Sequence, residues 1–153
     1  KPTAYIHKYN TEKKVPLHPF GFGLSYSKFK ISEPTLSKAS FDAVDDKITV
    51  SVNVKNTSKV DGEEVVQLYI RDDISSYTRP VKELKGYKRV AVKAGETKAV
   101  SIDINAESLA MYDRDYNFVV EPGTFTIMVG NSSHEKALKS TSIEVTKLFN
   151  LKN

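Results

Sequence analysis

Acids are the first groups in this chain that could do chemistry. Asp45–Asp46, Glu63–Glu64, Asp72–Asp73, Glu107 and Glu121 are the carboxylates from which an acid and a nucleophile facing one cleft would have to be drawn. All of them fall at expected strand ends and turns, where acids are ordinarily solvated, and none is assigned a catalytic role. Gly23-Leu24-Ser25-Tyr26-Ser27 opens like a nucleophile elbow but ends in serine where the second glycine belongs, and it lacks the strand–turn–helix setting. His7, His18 and His134 neighbour no recognisable nucleophile and show no metal-ligand spacing. Asp113-Arg114-Asp115-Tyr116-Asn117 begins like a calcium loop, but Phe118 stands where the loop needs glycine and Thr124 where it needs glutamate. It reads instead as a polar hairpin turn whose Asp and Asn cap their own backbone. The expectation is no catalytic residue, no cofactor and no metal. Binding is the remaining class, and Tyr69, Tyr77, Tyr87 and Tyr116 are the candidates for stacking on sugar rings. Against that stands the cross-strand packing that tyrosines on sheets ordinarily provide.

Composition narrows the class further. A chain of 153 residues buries enough surface to fold without staples. It has no cysteine, which removes disulfides, thiolate metal sites and cysteine nucleophiles. The net charge of +4 is spread through mixed-sign sequence, with Lys13–Lys14, Lys82, Lys85 and Lys88–Arg89 set among acids, so no nucleic-acid partner is expected. No apolar run has the length of a membrane span. Lys1 opens no charged-then-apolar signal segment, and the chain reads as a piece of a longer protein. Asn56-Thr57-Ser58 and Asn131-Ser132-Ser133 match the glycosylation acceptor pattern and also read as plain turns.

The elements that must carry these residues are strands. Ile48, Val50, Val52 and Val54 alternate with polar residues, the pattern of a strand with one buried face. Val66, Leu68 and Ile70 repeat it against Gln67 and Tyr69, and Val100, Ile102 and Ile104 repeat it again. Weaker versions occur at Phe29–Ile31, Leu84–Val92, Phe125–Val129 and Ile143–Val145. Turn residues separate them at 56–62, Ala94-Gly95-Glu96 and Glu121-Pro122-Gly123. This predicts an all-β protein, an antiparallel sandwich of about seven strands of immunoglobulin or fibronectin type III kind. One exception is a short helical turn over Asn105–Tyr112, opened by a capping asparagine. Residues 1–26 read as an extended lead-in, 27–146 as the sandwich and 147–153 as a tail.

Within the lead-in, Pro19-Phe20-Gly21-Phe22-Gly23-Leu24-Ser25-Tyr26 stands out. Glycine in an ordered element costs about 0.5–1 kcal/mol relative to alanine, so two glycines among three aromatics imply a bent backbone in close approach to something. Three further stretches accompany it. They are Val52–Thr57 leading through Asp61-Gly62-Glu63-Glu64-Val65-Val66-Gln67-Leu68-Tyr69, then Arg79-Pro80-Val81-Lys82-Glu83-Leu84-Lys85-Gly86-Tyr87, then Leu109-Ala110-Met111-Tyr112-Asp113 with Val120–Gly130. Together, over residues 15–146, they resemble the C-terminal fibronectin type III-like domain of glycoside hydrolase family 3, the β-glucosidases, β-xylosidases and relatives.

The resemblance implies a parent with a TIM-barrel domain holding a nucleophilic aspartate and an α/β domain supplying the acid/base. The parent would be a retaining β-glucosidase or related exo-glycosidase acting on plant-type oligosaccharides, periplasmic or extracellular. Neither catalytic residue maps onto this chain. The implied role is that of a non-catalytic accessory domain, packed on the catalytic domains of the same polypeptide through Phe20, Gly21, Phe22, Gly23 and Tyr26. Arg79 is expected to add a charge-assisted bond from the Asp72–Val81 loop. The aromatics closing one end of the sandwich's own core is the plainer alternative. A carbohydrate-binding or adhesion-type module is the other functional reading.

Overall fold

The structure, a computed structural model, describes residues 16–151; the first part of the lead-in, with His7, lies outside the described residues. Alternation drives each long strand. In β4 (Lys47–Asn56) the side chains of Ile48, Val50, Val52 and Val54 all turn inward and are buried. Strands β1 (Phe29–Ile31) and β2 (Thr35–Leu36) pair antiparallel with one edge of β4, and β7 (Thr97–Asn105) lines the other from Lys47↔Asn105 to Lys55↔Thr97. The facing sheet contains β3 (Ser40–Phe41), β5 (Gly62–Asp72), β6 (Glu83–Val92), β10 (Gly123–Gly130) and β11 (Lys139–Val145), in the spatial order β3-β11-β10-β5-β6. All seven segments expected from periodicity are strands, and the fold is the expected all-β sandwich.

The turns do more than reverse direction. Residues 57–61 carry the chain from β4 in one sheet to β5 in the other, and Ala94–Gly95 carries it back from β6 to β7. Fully buried Asn56 holds the first crossover: its Nδ2 donates to the Val60 carbonyl at 2.8 Å and the Val92 carbonyl at 3.0 Å, while its Oδ1 accepts from Ser58 N–H at 2.9 Å. That amide is spent inside the fold, so the acceptor pattern at Asn56 is a turn. Between the sheets, valine and isoleucine of β4 and β7 meet Val66, Leu68 and Ile70 of β5, Phe125, Ile127 and Val129 of β10, and Ile143 and Val145 of β11. Each such side chain contributes about 1.5–3 kcal/mol by leaving water.

Two expectations need correction. The sandwich is not wholly antiparallel, because β3 runs parallel to β11 through Glu144↔Ser40 and Val145↔Phe41. Nor are residues from 147 onward simply a tail. The segment Phe149–Leu151 forms β12, which pairs with β9 (Phe118–Val120), itself paired with β8 (Met111–Tyr112) in a small third sheet. Phe149 is buried and meets Phe41 edge-on at 6.2 Å. The short helix starts where it was expected but ends sooner, at Leu109 rather than Tyr112: α1 (Ala106–Leu109) is capped by Asn105, whose side chain accepts from Ser108 N–H while Ser108 Oγ accepts from Asn105 N–H. It plugs the sandwich with Leu109 and leads into β8.

The buried Phe149 gives a direct check of the correction. Phe149→Ala should lower unfolding free energy by about 3 kcal/mol, read from the denaturant midpoint, whereas a dangling tail would leave the midpoint unchanged.

Candidate interdomain interface

The outer face of β5 should meet water, yet Gln67 is only 6% and Tyr69 only 2% exposed. The lead-in is what covers Gln67. Gln67 Nε2 donates to the carbonyl of Gly21 at 2.9 Å and to that of Asn131 at 3.0 Å, and Gln67 Oε1 accepts from the Tyr69 hydroxyl at 2.5 Å. Both amide hydrogens and the amide oxygen are therefore used. Gly21 sits at φ +76°, and a Cβ there would run into the Gln67 carboxamide, so glycine is required on conformational and steric grounds together. Gly23 differs, since a Cβ there would meet nothing within 4 Å.

Further bonds make the described lead-in, a strap over the outer face of β5 at Gln67, one unit with the loop after β10. Phe22 N–H closes a turn on the Pro19 carbonyl at 3.0 Å, and Ser133 N–H donates to the Phe20 carbonyl at 2.8 Å. Lys82 Nζ reaches the Ser133 carbonyl at 2.7 Å, and Asn131 Nδ2 donates to Glu64 at 3.0 Å. At the far end of the strap, Ser27 Oγ donates to the Val60 carbonyl at 2.9 Å, where the chain joins β1.

The strap's backbone faces the sheet and its apolar side chains face out. Leu17, Phe20, Phe22, Leu24 and Tyr26 are all exposed, so the aromatics do not close the domain's own core. His18 stacks on Phe22 at 4.9 Å, which holds that ring in place. Tyr87 lies directly across the ladder from Gln67, so it shares the outer face and extends the same exposed surface. Leu17, Leu24 and the anchoring Gln67 were missed at the level of sequence. Alternation alone marked Gln67 as a solvated position.

The four tyrosines separate. Tyr69 cannot stack on a sugar: it lies on the strap side of β5, buried and donating to Gln67, and burial pushes its phenol pKa up. Tyr77 is half-buried with the Arg114 guanidinium over its ring at 5.6 Å. Tyr87 and Tyr116 are exposed.

Arg79 is also corrected. Rather than reaching outward, its Nη1 bonds Asp72 at 3.2 Å and the Leu109 carbonyl at 3.0 Å, and its Nη2 approaches Glu83 at 3.4 Å. Its side chain is 12% exposed and that of Asp72 3%. The loop of residues 73–82 folds back between β5 and β6, which places Arg79 over the carboxylates that begin and end it. Burial raises the Glu83 pKa, but Lys85 at 2.6 Å and then Arg79 outweigh it and hold that carboxyl below its ordinary value.

Residues 64–133 match the fibronectin type III-like domain family. A β-xylosidase of Formosa agariphila is 51% identical over 138 residues, covering 90% of this chain and 19% of that protein. The periplasmic β-glucosidase of Salmonella typhimurium is 42% identical over 133 residues, covering 87% of this chain and 17% of its own length. Among solved structures, a β-glucosidase from Erythrobacter marinus superposes with a TM-score of 0.84 at 40% identity, over 95% of this chain and 19% of that one. The Listeria innocua β-glucosidase in complex with glucose gives 0.82 at 35% identity, over 93% and 19%. Fold and strapped sheet define a fibronectin type III-like sandwich domain. The chain belongs to that family in the form found in β-glucosidases and β-xylosidases of glycoside hydrolase family 3, and it spans about a fifth of the length of these relatives.

Two outcomes follow from this geometry. Gln67→Ala leaves the Gly21 and Asn131 carbonyls and the Tyr69 hydroxyl without their partner, so it should cost about 2 kcal/mol and speed amide exchange at Phe22 and Ser133 together. For Glu83 the folded pKa lies below the unfolded one. Its stabilisation is therefore complete above the unfolded carboxylate range and is lost as pH falls below about 4. Arg79→Ala should cost about 3 kcal/mol at neutral pH by leaving Asp72 unpaired, and should flatten the acid-side slope of stability in a denaturant series from pH 7 to pH 3.

Proposed function

We propose that the chain serves as the non-catalytic accessory domain of a family 3 glycoside hydrolase, packing through its strap on the catalytic portion of the same polypeptide. The observation that carries this is the row of exposed Leu17, Phe20, Phe22, Leu24 and Tyr26, mounted on a backbone whose carbonyls are bonded to β5 and the loop after β10. Exposed apolar side chains on a rigid support mark a surface built to be covered. Aromatics suit the task because they bury large area while few torsions are lost. The lead-in that bears them is also the side from which preceding sequence would arrive. The relatives' greater length supports further domains in the parent.

The parent is proposed to be a retaining β-glucosidase or β-xylosidase-like exo-enzyme of plant-type oligosaccharides, on the names borne by its relatives. A periplasmic or extracellular place follows the periplasmic relative. Among the described residues no helix is long and apolar enough to cross a membrane.

Substituting Phe20 and Phe22 by serine, in this chain and in the full-length gene product, tests the interface. Each exposed ring should cost the chain alone almost nothing and the full-length protein about 1.5–3 kcal/mol, with faster thermal loss of glycosidase activity. Equal small effects in both contexts would overturn the packing role. Hydrolysis of aryl glycosides by the 153-residue chain at an enzyme-like rate would overturn the non-catalytic one.

A further inference from the structure

We propose that the end of the sandwich opposite the join of lead-in and β1 is a contact surface for a neutral oligosaccharide chain, built on Tyr112 and Tyr116. The strand register places it: β1 begins against Asn56, whereas the loop after Asp72 and the helix after Asn105 leave from the other end. There the hairpin from β8 to β9 sits against the loop of residues 73–82. Ser76 N–H donates to Glu121 at 3.0 Å, Arg114 covers Tyr77, and Arg79 ties that loop to the Leu109 carbonyl.

The hairpin is held hard for a feature so exposed. Asp113 accepts from Asp115 N–H at 2.9 Å, Asn117 N–H at 2.8 Å and Asn117 Nδ2 at 3.0 Å. Within that frame Tyr116 takes φ 61°, the one non-glycine residue with positive φ among the described residues. The three-residue loop closed by Asp113 and Asn117 needs a left-handed residue at its end, and a tyrosine holds that place where glycine or asparagine would do so at less cost. It serves no packing here, because Tyr116 is 84% exposed. Tyr112 is fixed differently: its ring rests on Phe118 at 4.9 Å, yet the residue stays 57% exposed. Phe118 in turn packs on the main core.

One phenol ring braced on Phe118 and a second carried on a hydrogen-bonded turn offer open, flat apolar surface. The same hairpin exposes Arg114, Asp115 and Asn117, a mixed set of donors and acceptors suited to hydroxyls. The carboxylates of Asp113 and Asp115 disfavour a polyanion. A neutral ligand with flat apolar faces edged by hydroxyls is a sugar chain. Only the choice of probes, not the surface itself, rests on the reading proposed above.

The test is an amide NMR titration of the 153-residue chain with cellohexaose and, separately, xylohexaose, into the millimolar range. At least one should shift residues 112–117 and 74–79 in a saturable way. Tyr112→Ala and Tyr116→Ala should each weaken binding about three- to tenfold while the rest of the spectrum stays unchanged, and Tyr87→Ala should have no effect. Absence of shifts with both sugars would overturn the proposal, as would shifts confined to the strap around Tyr87. Failure here leaves the packing role standing, since that is read from the stability of the full-length protein.

Discussion

A single carboxamide governs how this sandwich differs from two sheets with wet outer faces. Gln67 lies mid-strand in β5, and its three bonds join the lead-in, the loop after β10 and the Tyr69 hydroxyl. A polar group sealed from water is costly unless satisfied, so the strap and the amide need each other. The strap covers the amide, and the amide fixes the position of the strap. Everything proposed for the lead-in follows from that contact, because it turns the carbonyl of Gly21 inward and leaves Phe20 and Phe22 facing out. β5 is buried on both faces from Val66 to Ile70, and at Gln67 the lead-in is what closes the outer face.

The other end is organised by charge. Arg79 gathers Asp72, Glu83 and the last carbonyl of α1, so a ten-residue excursion from 73 to 82 becomes a fixed part of the domain. A buried ion pair of this kind is weak evidence for net stability, since desolvation offsets most of the attraction. What it does secure is geometry. With that loop fixed, the neighbouring hairpin has something rigid to lean on, and Tyr112 and Tyr116 are presented on a surface that does not collapse inward.

Alternation along β4, β5 and β7 was legible because one face of each strand meets the core, and hydrophobic period two is the direct imprint of that geometry. The capping asparagine of α1 was legible for a similar local reason. Roles that depend on distant partners were not. Gln67 and Tyr69 occupied outward positions by parity, and for Gln67 only a segment more than forty residues earlier in the chain decided that it is covered. Arg79 looked free because its three partners lie seven, four and thirty residues away. Phe149 looked like tail because its partners, Val120 in β9 and Phe41 in the core, lie far back along the chain.

By itself, then, the sequence determined the all-β class, the principal strands, the main turns and the family, since each is written in local pattern or in motifs with fixed order. It also marked the aromatic–glycine lead-in as special. The tertiary structure alone decided which side of that lead-in faces the sheet, which tyrosines remain open and which charges are already paired. Those outcomes depend on contacts between residues far apart in the chain, and a one-dimensional pattern holds no record of which surfaces meet.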